Sequence, residues 1–208
     1  MITIVNYGLG NLASIKNMLK RIGEDSVITS EPADIEQATK LILPGIGAFG
    51  AGMKNIQDFG LQAVLNEMVL EKKTPILGIC LGMQLLSKMS AEGNVEGLGW
   101  IDSETKKFAI DPKTMKEQNL KIPLMGWNDV TVKKDSKLFE DMHPEPRFYF
   151  VHSYHMVCAQ QEDVLLTANH GYEFVCGVEK GNIMGTQFHP EKSHKYGMKL
   201  LTNFVNNY

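Results

Sequence analysis

Short apolar, β-branched runs alternate along this chain with longer amphipathic stretches, and that alternation limits the possible folds more than any other feature. Ile2 to Tyr7 reads as a buried strand closed by the turn residues Gly8 and Gly10. After Asn11, placed to cap a helix, Leu12, Ile15, Met18, Leu19 and Ile22 recur at helical spacing until Gly23. Ser26 to Thr29 and Lys40 to Leu43 read as the next strands, the second ended by Pro44-Gly45-Ile46-Gly47. A helical pattern over 56–70, a strand over 75–79 and a helix over 81–89 follow. Such strands must be covered on both faces, so the pattern predicts parallel βαβ units in an α/β fold.

Beyond Gly93 the texture changes. Residues 98–135 hold charged turns and short β-like pieces such as Trp127 to Lys133, which suit a small antiparallel addition. Arg147 to Tyr154 and Ile183 to Phe188 resume strand texture, and Ser193 to Tyr208 reads as a closing helix. With 208 residues and no linker or repeat, a single domain over 1–208 is expected. A core of that size buries about 70% of the unfolded chain's surface without a metal or disulfide staple. The net charge of −3, with no dense Lys/Arg stripe, argues against nucleic acid as partner. Three cysteines, Cys80, Cys158 and Cys176, cannot all pair, and their spacing suits no metal site. The N-terminal run is too short and uncharged for a signal peptide, and no apolar run is long enough to span a bilayer. A reduced, cytoplasmic, globular protein is expected, with neither metal nor organic cofactor.

One cysteine stands apart. Gly78-Ile79-Cys80-Leu81-Gly82 follows a strand, precedes a helix, and has the G-x-nucleophile-x-G spacing of a nucleophile elbow. A side chain on such a turn sits in strained backbone, where neighbours carrying a Cβ would collide. The turn also sets the sulfur by a helix N-terminus, which favours thiolate. A lone Cys is more often a small buried hydrophobe, and Cys158 and Cys176 read that way. A thiol nucleophile needs a base, and that base needs an orienting group. Of six histidines, only His189 ends a strand with a carboxylate two residues on, in His189-Pro190-Glu191. In extended backbone those two side chains project to one side, and Pro190 stiffens the link.

With these residues in hand, the sequence resembles the class I (triad) glutamine amidotransferases. Within them it is similar to the glutaminase subunits of imidazole glycerol phosphate synthase. The resemblance runs through Asn6-Tyr7-Gly8-Leu9-Gly10-Asn11, Leu43-Pro44-Gly45-Ile46-Gly47-Ala48-Phe49, the Cys80 elbow, Met125-Gly126-Trp127-Asn128, Tyr149-Phe150-Val151-His152-Ser153-Tyr154 and Gln187-Phe188-His189-Pro190-Glu191. It implies a flavodoxin-like three-layer sandwich with a mostly parallel central sheet. It also implies hydrolysis of L-glutamine through a thioester on Cys80, with His189 as base and then acid, and Glu191 orienting it. Gly45, Ile46 and Gly47 would gate the site and, with Leu81, supply oxyanion donors. Gln84, Glu92 and backbone at Ser153 and Tyr154 would hold the amino-acid end of the substrate. Asn11, Trp127, Tyr149 and Lys192 would lie at an interface with a (β/α)8-barrel cyclase subunit. That subunit would use the ammonia to make imidazole glycerol phosphate and a purine precursor, AICAR, in histidine biosynthesis.

Three departures from the family pattern bear on the partner. Asn6 stands where Asp is usual, Leu124 where His usually precedes Met-Gly-Trp-Asn, and 192–197 is a basic, aromatic insert. The last resembles paralogues that supply ammonia to sugar amidotransferases in surface-polysaccharide pathways. A reading of another class is a dinucleotide-binding module, since Gly8-Leu9-Gly10-Asn11-Leu12-Ala13 fits G-x-G-x-x-G/A with Glu31 near the required spacing. That reading leaves Cys80, His189 and Glu191 unexplained.

Overall fold

A computed structural model describes residues 1–208. Its first half contains β1 (Ile2–Val5), α1 (Leu12–Arg21), β2 (Ser26–Thr29), α2 (Pro32–Ile35), β3 (Lys40–Gly45), α3 (Phe49–Asp58), α4 (Leu61–Asn66), β4 (Ile76–Cys80) and α5 (Leu81–Leu85). The second half adds β5 (Met89–Ser90), β6 (Val95–Glu96), β7 (Ser103–Lys107), α6 (Pro112–Glu117), β8 (Leu124–Asp129) and β9 (Thr131–Val132). It continues with β10 (Arg147–His152), β11 (Tyr154–Cys158), β12 (Val164–Asn169), β13 (Glu173–Lys180), β14 (Ile183–Thr186) and α7 (His194–Asn207).

Strands β2, β1, β3, β4 and β14 lie side by side in that order, all parallel. The alternation of side chains along them makes two separate cores. Ile2, Ile4, Ile42, Leu77 and Ile79 face α1 and α7, meeting Ile15, Leu19, Leu201 and Phe204. Val5, Leu41, Leu43 and Ile76 face the other way, onto Ile35, Phe49, Met53, Leu65 and Leu85 of α2 to α5. Both sheet faces are therefore covered, and the three-layer sandwich follows from strands that are apolar on both sides. Each such fully buried side chain contributes about 1.5–3 kcal/mol of hydrophobic stabilisation. Past β14 the sheet continues antiparallel through β13, β11 and β7, while β8 and β10 form a separate antiparallel pair.

The sequence pattern and the structure differ in a few places. The helix predicted over 56–70 is two helices, divided by Gly60 at φ 68, and α3 begins earlier, at Phe49. The helix predicted from Leu81 to Met89 stops at Leu85, because Met89 and Ser90 pair with β7. The strand expected from Trp127 starts at Leu124. Asn11 occupies the N-cap position of α1 but makes no side-chain capping bond.

The parallel strands place the elbow against the end of β3 at very short range. A Cβ on Gly82 would lie 1.8 Å from the Leu43 carbonyl oxygen, and one on Gly78 would lie 2.8 Å from the Gly82 carbonyl oxygen. Both obstacles are backbone and have nowhere to move. Gly50, in α3, has only ordinary contact 3.5 Å away at Val95. Gly82→Ala is therefore expected to lower stability by about 3 kcal/mol or more through overpacking. Gly50→Ala should raise it by about 0.5 kcal/mol through reduced chain entropy. Urea midpoints of the two variants, moving in opposite directions from wild type, test this.

Candidate active site

Cys80 ends β4 and begins α5 with φ 54 and ψ −108, a conformation strained for any residue with a Cβ. His189 follows β14, the strand hydrogen-bonded beside β4, so the base arrives next to the thiol from the far end of the sequence. The His189 Nδ1 lies 2.7 Å from Glu191 Oε1, and the two side chains are almost wholly buried. The short turn Pro190–Lys192 carries the carboxylate back under the ring. Burial alone would lower the His189 pKa. The neighbouring Cys80 sulfur and the Glu191 carboxylate outweigh burial and raise it to about 9. Nε2 of His189 is buried without a hydrogen-bond partner, and the ring shares the wall of one cavity with Cys80.

Gly45, the last residue of β3, is directly opposite Cys80 in the parallel register. A Cβ there would lie 2.3 Å from the Tyr7 hydroxyl and 2.8 Å from the Leu81 Cβ. Tyr7 donates from that hydroxyl to the Pro44 carbonyl at 2.5 Å, pinning the start of the Gly45–Gly47 segment. Gly47 then adopts φ +116, a turn that a glycine takes without strain.

A cavity of about 410 Å³ opens over this arrangement. Ile46, Gly47, Cys80, Leu81, Gln84, Glu92, Ser153, Tyr154, His189 and Lys192 all line it, so it gathers residues from both halves of the sequence. The Glu92 carboxylate accepts from the Phe49 amide at 2.8 Å, at the start of α3. Gln84 donates from Nε2 to the Tyr154 carbonyl and to Gln187 Oε1, both at 3.0 Å. A cleft with a thiol, an imidazole, a carboxylate and an amide suits a small zwitterionic substrate.

Trp127 and Tyr149 face each other across the β8–β10 pair, ring centroids 6.5 Å apart, with the Lys192 ammonium 5.8 Å over the Tyr149 ring. No such contact ties Asn11 to them. The five residues of α5 make a shorter helix than the pattern predicted, so its dipole gives the sulfur less support than expected. Sequence reasoning missed two residues here. Gln187 donates from Nε2 to Cys80 Sγ at 3.8 Å. His152 lines the cavity with its pKa pushed down to about 3 by burial, and its Nδ1 is 2.8 Å from the Tyr154 carbonyl. Both lie inside segments that carry the family resemblance, but nothing in those segments assigned either a role. All three cysteines are free thiols. Burial raises Cys158 to about 12 and Cys176 well above its ordinary value, which leaves both unreactive.

The Gly8–Gly10 loop is occupied by protein contacts. A Cβ on Gly8 would meet Asn55 at 3.2 Å, and one on Gly10 would meet Pro44 at 3.1 Å. Glu31 is exposed, just before α2, so the loop's glycines serve packing of the elbow region rather than a dinucleotide.

Residues 3–208 match the family described as glutamine amidotransferase class-I, and the chain belongs to that family. Within it the relatives are HisH subunits. The chain is 50% identical over 205 residues to imidazole glycerol phosphate synthase subunit HisH 2 of Methanococcus maripaludis, covering 99% of this chain and 98% of the relative. It is 47% identical over 205 residues to subunit HisH 2 of Pseudomonas aeruginosa, with the same coverage. Subunit HisH of Leptospira interrogans is 44% identical over 205 residues, covering 99% of both chains. Among solved structures, a glutamine amidotransferase crystal structure matches with TM-score 0.71 and 20% identity over 99% of this chain and 97% of that one. A structure of PurLQS from Thermotoga maritima gives 0.72 and 19%, with the same coverage. Both show a shared fold.

Folding raises the His189 pKa from the ordinary 6.5 to about 9, so the native state holds that proton more tightly than the unfolded chain. The resulting stabilisation is complete below about pH 6.5 and is lost as pH rises through about 9. The urea midpoint of wild type, relative to His189→Gln, should therefore decline across that interval. A difference independent of pH would contradict the assignment.

Proposed function

We propose that this chain is the glutaminase subunit of an imidazole glycerol phosphate synthase, hydrolysing L-glutamine to glutamate and ammonia. The observation that carries the reading is the Cys80, His189 and Glu191 constellation at the ends of neighbouring parallel strands, in a chain 50% identical to a HisH subunit. The Cys80 thiolate attacks the carboxamide carbon of glutamine. The Leu81 amide and an amide of the Gly45–Gly47 segment take the developing oxyanion. His189 gives its proton to the departing ammonia, leaving a thioester, then takes a proton from water as that water attacks. Thiolate and glutamate are released. Glu191 holds the imidazole tautomer and stabilises the imidazolium. Glu92 meets the α-ammonium of the substrate, and Gln84 offers its carbonyl oxygen, since its amide protons are engaged elsewhere.

The ammonia would pass to a (β/α)8-barrel cyclase subunit. The face that suits this partner is the outer side of the β8–β10 pair. Met125 stands opposite Val151 there and Trp127 opposite Tyr149, and Val151 and Lys192 also line the cavity. No helix is long and apolar enough to cross a membrane, and we place the complex in the cytoplasm. A second reading, ammonia supply to a sugar amidotransferase, is favoured by one observation. His194, in the basic segment, stacks on Trp127 with ring centroids 5.6 Å apart and 10° between planes, so this segment reshapes the same face.

Cys80→Ala should abolish glutamine hydrolysis, leave the fold intact by circular dichroism, and be bypassed by external ammonia in the assembled complex. Glutaminase assays with and without a co-purified barrel cyclase decide the partner. Strong stimulation by the cyclase supports the first reading, and stimulation only by a sugar amidotransferase supports the second. Full turnover by Cys80→Ala would end both.

A further inference from the structure

Gln187 is fully buried, and its backbone amide donates to the Cys176 carbonyl at 2.9 Å, so its position is set by the sheet. The orientation of its side chain is set by another amide. Gln84 Nε2 has two protons, and these go to the Tyr154 carbonyl and to Gln187 Oε1. The oxygen of Gln187 must therefore turn towards Gln84, and its NH₂ group towards Cys80 Sγ at 3.8 Å. The sulfur is the one protein partner that donor has. A neutral thiol is a weak acceptor and leaves a buried N–H poorly satisfied, whereas a thiolate makes a charge-assisted bond.

We propose that Gln187 is a further catalytic residue, an amide donor that holds the Cys80 sulfur as thiolate and fixes its direction of attack. This rests on the reading of Cys80 as nucleophile. It also supplies the anion support that a five-residue α5 gives only weakly. The chain Tyr154 carbonyl, Gln84, Gln187, Cys80 thus joins the wall of the substrate cavity to the reacting atom.

The test is the pH dependence of Cys80 alkylation by iodoacetamide, followed on the Cys80 peptide by mass spectrometry. Gln187→Met and Gln187→Leu both remove the donor but differ in shape. Each should raise the alkylation midpoint by about one pH unit, the scale of one hydrogen bond to a charged group. Each should also lower kcat about tenfold with KM nearly unchanged, whatever its thermal midpoint. The isosteric Gln187→Glu, whose carboxylate faces the sulfur, should raise the alkylation midpoint at least as far and serves if the other two fail to fold. Alkylation midpoints equal to wild type in the folded variants, or shifts that merely follow loss of thermal stability, would overturn the proposal. Glutaminase activity surviving in Cys80→Ala would instead defeat the nucleophile reading, which separates the two failures.

Discussion

The rest of the site depends on one backbone contact, the approach of the β4–α5 turn to the end of β3. At Gly82 the two chains pass so closely that no side chain fits between them, and Gly45 and Gly78 extend the same seam. This closeness holds Cys80 in its strained conformation, because a relaxed turn would need room that β3 already fills. It also sets Gly45 opposite Cys80 in the register, with Ile46 and Gly47 at the cavity wall. Strain of this kind costs about 1–3 kcal/mol, and the apolar packing of Leu77, Ile79, Leu81 and Leu85 on either side offsets it.

Electrostatics acts within that frame. Burying His189 would ordinarily favour the neutral ring. The Glu191 carboxylate at 2.7 Å and the sulfur on the other side reverse the preference. Charges in so buried a setting attract each other more strongly than at the surface, which is why these two neighbours suffice to offset burial of the ring. His152 provides the contrast. It is also buried and lines the same cavity, but it has no carboxylate partner, and its ring is neutral. Leu124 stands opposite it in the β8–β10 register, and His152 Nε2 is without a hydrogen bond.

Much of this was legible in the sequence. The parallel strands were visible because runs such as Ile2 to Val5 and Ile76 to Cys80 are short, rich in β-branched residues, uncharged and closed by glycine-bearing turns. That Cys80, His189 and Glu191 come together was visible because glycines flank the cysteine and a proline stiffens the His–Glu pair. Strands β12 and β13 were not, since Val164 to Ala168 is an apolar run that periodicity alone cannot tell from a buried helix, and only its pairing with β13 decides for strand. The early stop of α5 was hidden because Leu85, Leu86 and Met89 fit a helical stripe, and only pairing with β7 decides for strand at Met89. Gln187 could not be read at all, because its role depends on which way a neighbouring amide turns.

Parallel pairing of β4 with β14 brings together residues 107 positions apart, as at Cys80 and Gln187. A chain still being synthesised, and grown only as far as β10, carries the cysteine but neither its base nor its amide donor. Up to that point the sulfur lacks both groups that the finished sheet sets around it. The site is therefore completed by the last strand of the chain, and any truncation before β14 removes the base and the amide donor together while sparing the cysteine.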